Sequence, residues 1–129
     1  MIDIWIPGKP PTATAQQKGR THSGVWYKPK ALREAEETYM AWLKIQRPAQ
    51  PMEGAVVLRV DFCFPANKPH KPGEPKITRP DTDNMIKLLK DCLTRSGYWK
   101  DDAQVAGEAV IKIYDKDPGI RIMIRGWSE

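Results

Sequence analysis

Apolar side chains recur along this chain with two different periods, and these periods predict its secondary structure. Four apolar stretches, at least three of them with alternating polarity, predict β-strands at residues 2–6, 54–64, 104–114 and 120–127. Residues 29–46 and 83–94 instead carry apolar side chains near a 3.6-residue period and predict two helices. The sequence DKDPG between the last two strands predicts a β-hairpin. The order β-α-β-α-β-β predicts an α+β fold, with two helices on one face of a small mixed sheet.

Two stretches lack any period, and both are rich in cations. Residues 8–28 predict a long basic loop. Residues 65–80 contain five prolines and a second group of cationic or titratable side chains. We predict that this group contacts phosphates: Lys68, His70, Lys71, Lys76 and Arg79.

Length, charge and cysteine content narrow the class of protein. A chain of 129 residues predicts one domain, residues 1–129. Lysine and arginine outnumber aspartate and glutamate by 21 to 16, which favours an anionic partner such as nucleic acid or acidic lipid. No apolar run is long enough for a membrane span, and the first residues do not form a secretory signal. Cys63 and Cys92 form no CxxC motif, so we expect reduced thiols and a cytoplasmic protein.

Carboxylates flank the second predicted helix at both ends. Asp81, Asp83 and Asn84 lie at its entrance, and Asp101 and Asp102 lie in the turn after its exit. Two carboxylates about 4 Å apart repel by roughly 4 kcal/mol at the effective dielectric near a protein surface. A hard divalent cation with oxygen ligands is the common reason for such a cluster, so the segment predicts a metal site. That interpretation requires the acids at the two ends of the helix to converge.

Simpler roles are open for each of these residues. Asp81 or Asp83 can act as the N-cap of the helix, and Asp101 and Asp102 can form a solvated turn. Lys87, four residues after Asp83, can be its ion-pair partner on the helix surface. An EF-hand loop starting at Asp81 is excluded because its fifth, sixth and twelfth positions do not fit that motif.

The spaced motif RPDTDN, then Lys87, then GYWKDDAQV resembles the RusA-type Holliday junction resolvases. The resemblance implies a homodimeric endodeoxyribonuclease that cuts four-way junction DNA with Mg²⁺, or with Mn²⁺ in its place. It implies that Asp81, Asp83 and Asp102 bind the metal and that Lys87 assists catalysis. Asp101 precedes the matched position and is the weaker candidate.

Alternatives of function and of residue role follow from the same pattern. The protein can be a nuclease for other branched DNA, such as flaps or forks, or a non-catalytic DNA-binding module of the same fold. Tyr98 and Trp99 can stack on an unpaired base or give hydrophobic support to the site.

Overall fold

The long central strand of the sheet is an apolar stretch of ten residues that the two helices cover on one face. The computed structural model describes residues 1–13, 19–20, 24 and 26–129. The described strands are β1 (Ile2–Pro7), β2 (Gly19–Arg20), β3 (Trp26–Tyr27), β4 (Val56–Pro65), β5 (Val105–Asp115) and β6 (Gly119–Gly126). The helices are α1 (Lys30–Gln46) and α2 (Thr82–Arg95), and a short 3₁₀ helix, Asp102–Gln104, precedes β5.

Four of these strands form a mixed sheet in the order β1-β6-β4-β5. Strand β6 lies antiparallel between β1 and β4, whereas β5 pairs in parallel with the outer side of β4. The short strands β2 and β3 form a separate two-stranded ribbon within the region predicted as a loop. The predicted α+β fold is confirmed, and both helices begin and end within two residues of their predicted limits.

The predicted hairpin between the last two strands is wrong. Strands β5 and β6 are consecutive in the chain, but β4 separates them in the sheet. The turn DKDPG therefore carries the chain across the end of β4 rather than closing a hairpin. Turn chemistry predicts where a strand ends, and it does not determine which strand becomes the neighbour.

One face of the sheet forms the hydrophobic core with the helices. On β4 the side chains that join the core are every second residue, from Val56 to Phe64, and the alternating residues of β1 and β6 continue this layer. Helix α2 packs onto it through Met85, Ile86, Leu88, Leu89, Cys92 and Leu93. This packing turns Asp83 and Lys87 towards solvent, because they lie on the opposite side of the helix.

The two cysteines are free and buried, as the sequence predicts. Burial raises the pKa of the Cys63 thiol to about 11 and that of Cys92 to about 12. Neither helix in the described part of the chain combines the length and apolarity needed to cross a membrane.

Candidate active site

The first half of the site lies at the start of α2. Pro80 and Asp81 precede the helix, and Asp81 has the extended backbone of an N-cap residue (φ −72°, ψ 149°). Its carbonyl accepts the Met85 N–H at 3.1 Å, but its carboxylate makes no capping hydrogen bond. Asp81 and Asp83 are exposed, and neither carboxylate has a partner among the described residues. Capping therefore does not explain the side chain of Asp81.

Lys112 fixes the segment that leads into this half of the site. Its ammonium group donates to the carbonyl oxygens of Thr78, at 2.7 Å, and Pro80, at 2.8 Å. Lys112 belongs to β5, so these bonds attach the approach to Asp81 directly to the sheet. Lys112 is not among the residues predicted from the sequence. The feature that could have indicated it is a lysine on the helix-facing side of a strand, because Lys112 is in register with the buried Phe62 of β4.

Lys87 lies one helical turn after Asp83 and is exposed. No ion pair joins the two side chains, so the simple role of surface partner is not seen in this structure. Lys87 thus carries a cation beside the carboxylate pair that no described acid neutralises. Asn84 is half-buried on the same turn.

The second half of the site lies beyond the other end of α2, around the 3₁₀ helix. Asp101 caps this helix: its carboxylate accepts the Ala103 N–H at 2.8 Å. Gln104 completes the box, because its side-chain oxygen accepts the Asp101 N–H at 3.2 Å. The Gln104 amide also donates to the carbonyls of Met52 and Gly54, at 2.9 and 3.0 Å. Asp101 therefore has a local structural role, in agreement with its weaker candidacy.

Asp102 is held by two side chains. Its Oδ1 accepts a hydrogen bond from the Thr94 hydroxyl and lies 3.3 Å from Nε1 of Trp99. The same indole N–H donates to the Thr94 hydroxyl at 2.7 Å. The Asp102 side chain is exposed, but its contacts with Thr94 and Trp99 fix the orientation of its carboxylate.

The aromatic pair before the acidic turn supports the site. Tyr98 and Trp99 are 0 % and 1 % exposed, so neither ring has a face open for stacking on a base. The Tyr98 hydroxyl donates to the Leu43 carbonyl at 2.7 Å, and burial raises its pKa to about 12. Of the two roles left open by the sequence, hydrophobic support is the one that the structure favours.

The two halves do not converge within one chain. Asp102 is bonded to Thr94, which lies eleven residues after Asp83 on the same helix, a rise of about 16 Å at 1.5 Å per residue. Accordingly, no group of three acidic, histidine or cysteine side chains in the described residues is close enough to hold a metal ion. The structure brings Asp81 and Asp83 to one place and puts Asp102 at the far end of α2. A single copy of the chain therefore does not bring the carboxylates of Asp81, Asp83 and Asp102 together, although the sequence led us to expect this.

The basic segment before α2 divides into free and engaged side chains. Lys68, Lys71 and Arg79 are exposed, with no side-chain partner in the described residues. The Lys76 ammonium lies 4.9 Å from the Phe64 ring centre and donates to the Thr78 hydroxyl at 2.6 Å. His70 is engaged as well.

His70 stacks on Tyr114, with ring centres 4.0 Å apart, and its Nδ1 lies 2.5 Å from a Glu74 carboxylate oxygen. His70 and Lys76 therefore fasten the segment to the sheet. The other cations, Lys68, Lys71 and Arg79, are free to face a ligand. Two cationic or titratable residues of the basic loop predicted at residues 8–28, Lys18 and His22, lie outside the described residues.

An exposed carboxylate pair with a free lysine one turn away, beside a basic segment, is an arrangement suited to a metal-assisted enzyme that acts on polyanions. The family model described as endodeoxyribonuclease RusA matches residues 7–125. The chain belongs to the RusA family.

Individual relatives match over shorter stretches. The chain is 31 % identical over 86 residues to the crossover junction endodeoxyribonuclease of Lactococcus phage r1t. The aligned stretch covers 65 % of this chain and 66 % of the phage protein. It is 46 % identical over 39 residues to the crossover junction endodeoxyribonuclease RusA of Escherichia coli K12, 30 % of this chain and 32 % of that protein. It is also 46 % identical over 48 residues, 37 % of this chain, to the uncharacterized protein YqaN of Bacillus subtilis. The match spans 33 % of the length of YqaN.

Proposed function

We propose that this protein is a metal-dependent endodeoxyribonuclease that resolves Holliday junctions by paired phosphodiester hydrolysis during DNA recombination and repair. The observation that carries the proposal is the exposed pair Asp81 and Asp83, which have no partner among the residues that the structure describes, in a chain of the RusA family. The names of the phage and Escherichia coli relatives support a crossover junction as the substrate. The two free thiols agree with a reducing compartment, and we propose the cytoplasm.

The proposed cofactor is Mg²⁺, with Mn²⁺ as a substitute of similar ligand preference. Asp81 and Asp83 offer only oxygen donors, which suits a hard cation. When bound, the metal supplies an activated water and neutralises charge on the scissile phosphate. Lys87 carries a fixed positive charge one turn from Asp83, and we assign it the stabilisation of negative charge that develops during hydrolysis.

The proposed DNA surface is the segment that leads into α2. Lys68, Lys71 and Arg79 would contact phosphates, which provides affinity without base specificity. His70 and Lys76 belong to the same predicted group of phosphate contacts; they remain in the proposed surface and also hold the segment in shape.

Asp102 is the third proposed metal ligand, and its distance from Asp83 requires a second copy of the chain. Helix α2 is a rod that keeps the two ends about 16 Å apart in one copy. In a homodimer, Asp102 of one copy can instead meet Asp81 and Asp83 of the other. Two equivalent composite sites would result, since a two-fold axis repeats every contact. Two such sites suit paired cuts in opposed strands.

The first experiment separates chemistry from binding. Asp83→Asn is expected to abolish Mg²⁺-dependent cleavage of a synthetic four-way junction while leaving junction binding intact or tighter, because it removes a negative charge that faces phosphate. Asp91→Asn is the matched control, an exposed aspartate on the same helix that pairs with Arg95 at 3.4 Å. Normal cleavage by Asp83→Asn contradicts the metal assignment.

The same assay tests the substrate and the alternative functions. Linear duplex, flap and fork DNA are compared with the four-way junction at equal concentration. Preferential cutting of the junction, with symmetric cuts, supports resolution. Equal cutting of flaps and forks favours a general nuclease for branched DNA, and binding without any cleavage favours a non-catalytic module.

A mixing experiment tests whether the site is shared. Asp83→Asn and Asp102→Asn are each expected to be inactive alone. In a heterodimer of the two, one composite site keeps all three aspartates and the other loses two. A one-to-one mixture should regain about one quarter of the wild-type sites, because half of the dimers are mixed and each has one intact site. A mixture that stays inactive, with heterodimers demonstrated, contradicts the shared site.

A further inference from the structure

Ile77 is the most exposed large hydrophobic side chain in the described part of the chain, at 91 %. It belongs to the basic segment before α2, residues 65–80, and lies four residues before Asp81. Single apolar side chains are common at protein surfaces and need no explanation by themselves. The position of Ile77 is unusual because its backbone is fixed on both sides and because the free charges of its segment are cations.

The backbone around Ile77 is held by β5. The Lys76 N–H donates to the Lys112 carbonyl at 3.0 Å, and the Lys112 ammonium group donates to the Thr78 and Pro80 carbonyls, at 2.7 and 2.8 Å. One residue of the sheet therefore fixes the chain both before and after Ile77. A group that is already held in place loses little freedom on binding, so Ile77 is preorganised for contact with a ligand.

The Ile77 side chain turns away from the protein. The preceding side chain, Lys76, is folded inwards, with its ammonium group 4.9 Å from the Phe64 ring centre and 5.5 Å from that of Tyr114. Ile77 takes the opposite direction, since almost all of its side chain is left to solvent. The segment therefore presents an apolar tip on a fixed base.

We propose that Ile77 is a wedge that inserts between base pairs at the branch point of junction DNA; this inference rests on the proposed function, which supplies the DNA. Isoleucine is among the side chains that DNA-bending proteins insert between base pairs. Four residues of chain span at most about 14 Å, which limits the distance between the Ile77 and Asp81 backbones. Bases are about 3.4 Å apart along a strand, so the wedge would act within a few base steps of the proposed cut.

A wedge would supply the selectivity that phosphate contacts lack. Lys68, Lys71 and Arg79 would meet the backbone of any DNA, so they do not distinguish a junction from a linear duplex. Inserting a side chain into a continuous duplex breaks base stacking and is costly. At a branch point the strands pass from one helix to another, and stacking is interrupted there at lower cost. Ile77 would therefore favour branched over linear DNA, while the cations set the overall affinity.

A protein partner fits this surface less well than DNA does. Specific protein interfaces bury about 800 Å² on each partner around an apolar centre. No other large hydrophobic side chain of residues 65–80 is exposed, so the segment does not form an apolar patch around Ile77. The free cations Lys71 and Arg79 instead match the charge of a phosphate backbone.

Binding without divalent metal tests the wedge in the absence of cleavage. The dissociation constants of the full chain for a four-way junction and for a linear duplex of the same sequence are measured by fluorescence anisotropy. Ile77→Ser is expected to reduce the preference for the junction about tenfold, because serine cannot replace the apolar contact. The slope of log K against log salt should not change, because no charge is lost.

Two variants control this measurement. Ile77→Phe keeps an apolar side chain that can insert between bases and should retain the preference for the junction. Ile45→Ser removes an isoleucine that is 78 % exposed near the end of α1, outside the basic segment, and should also retain it. Ile77→Ser should keep the wild-type melting temperature, because little of the Ile77 side chain is buried.

A fluorescent adenine analogue at the branch point detects insertion directly, because its emission rises when neighbouring bases unstack. The wild-type protein, Ile77→Phe and Ile45→Ser should all raise the emission, whereas Ile77→Ser should bind without this rise. Either an unchanged junction preference or an unchanged rise with Ile77→Ser would overturn the proposal. A wild-type protein that binds junction and duplex equally would also overturn it.

Sedimentation and cleavage separate the wedge from its alternatives. If Ile77→Ser associates with itself more weakly than the wild-type protein, the side chain contacts a second copy and the wedge is wrong. If the wild-type protein unstacks the junction but never cuts it in Mg²⁺, the proposed nuclease function fails and the wedge stands. If the wild-type protein cuts junctions and Ile77→Ser does so with the same selectivity, only the wedge fails.

Discussion

Replacing Thr94 with valine tests whether the orientation of Asp102 matters. The Thr94 hydroxyl bonds the Asp102 carboxylate and accepts the Trp99 N–H at 2.7 Å. Valine keeps the shape of the side chain and removes both interactions, together with the contact of the same hydroxyl with the Lys90 carbonyl at 3.1 Å. Because Trp99 is 1 % exposed, water cannot easily replace the lost acceptor. A buried donor without its partner costs about 1–3 kcal/mol.

The lower part of that range is expected for Thr94→Val. The indole N–H keeps a second acceptor, Oδ1 of Asp102, at 3.3 Å. We therefore expect the free energy of unfolding to fall by about 1–2 kcal/mol. If loss of orientation at Asp102 raises the barrier by a similar amount, the cleavage rate falls about tenfold, since 1.36 kcal/mol corresponds to a factor of ten.

Urea unfolding and single-turnover cleavage of a four-way junction measure these two effects separately. Thr94→Ser retains the hydroxyl and is expected to keep most of both the stability and the rate. The decisive comparison is made over a range of Mg²⁺ concentrations, so that weaker metal binding is distinguished from slower chemistry. If Thr94→Val loses stability but cleaves at the wild-type rate at every Mg²⁺ concentration, the fixed orientation of Asp102 has no role in the reaction.

Three further predictions follow from individual contacts. Lys112→Met removes the two hydrogen bonds to the Thr78 and Pro80 carbonyls. We expect the free energy of unfolding, measured in urea, to fall by about 1–2 kcal/mol, and Mg²⁺ to bind more weakly in a calorimetric titration. Lys71→Ala is expected to weaken junction binding and to reduce the slope of log K against log salt by about one, measured by fluorescence anisotropy. Gly119→Ala places a Cβ 2.1 Å from the Trp5 ring, so the ring must move. We expect the free energy of unfolding to fall by about 1–3 kcal/mol, which a lower melting temperature would show.

Each of these variants has a control of the same kind. Lys116→Met removes an exposed lysine with no described partner and should leave stability unchanged. Lys44→Ala removes a cation from the end of α1 and should not alter the salt slope. Gly126→Ala meets only the flexible Glu129 side chain, at 3.4 Å, and should be tolerated. A control that behaves like its paired variant would show that the effect is not specific to the contact.

Periodicity predicted the secondary structure well because each long element buries one side. The alternation in β4 and the 3.6-residue repeat in α2 both follow from packing against the same core. Strand order could not be obtained in this way. The insertion of β6 between β1 and β4 depends on which edges are free when the chain folds, and the turn sequence carries no such information.

The candidate residues could be selected from the sequence, but their arrangement could not. Asp81 and Asp83 are close in the chain, and the structure keeps them together at the start of α2. Thr94 looked like an ordinary helix residue, and its role became visible only when the chain returned to place Asp102 beside it. Lys112 is similar, because it acts on a segment more than thirty residues earlier in the chain.

Asp102 lies at the opposite end of α2 from Asp81 and Asp83, and this separation has two physical explanations, because α2 cannot shorten. An intact helix of this length does not bend enough to bring its ends together, and Thr94 and Trp99 hold Asp102 at one of them. Either Asp102 binds no metal, or the metal site needs a second chain. In the second case a lone copy carries only half of each site and cannot cut. Cleavage would then depend on dimer formation, so the specific activity should fall when the enzyme is diluted below its dimer dissociation constant. A rate per chain that stays constant through that dilution would favour the first explanation.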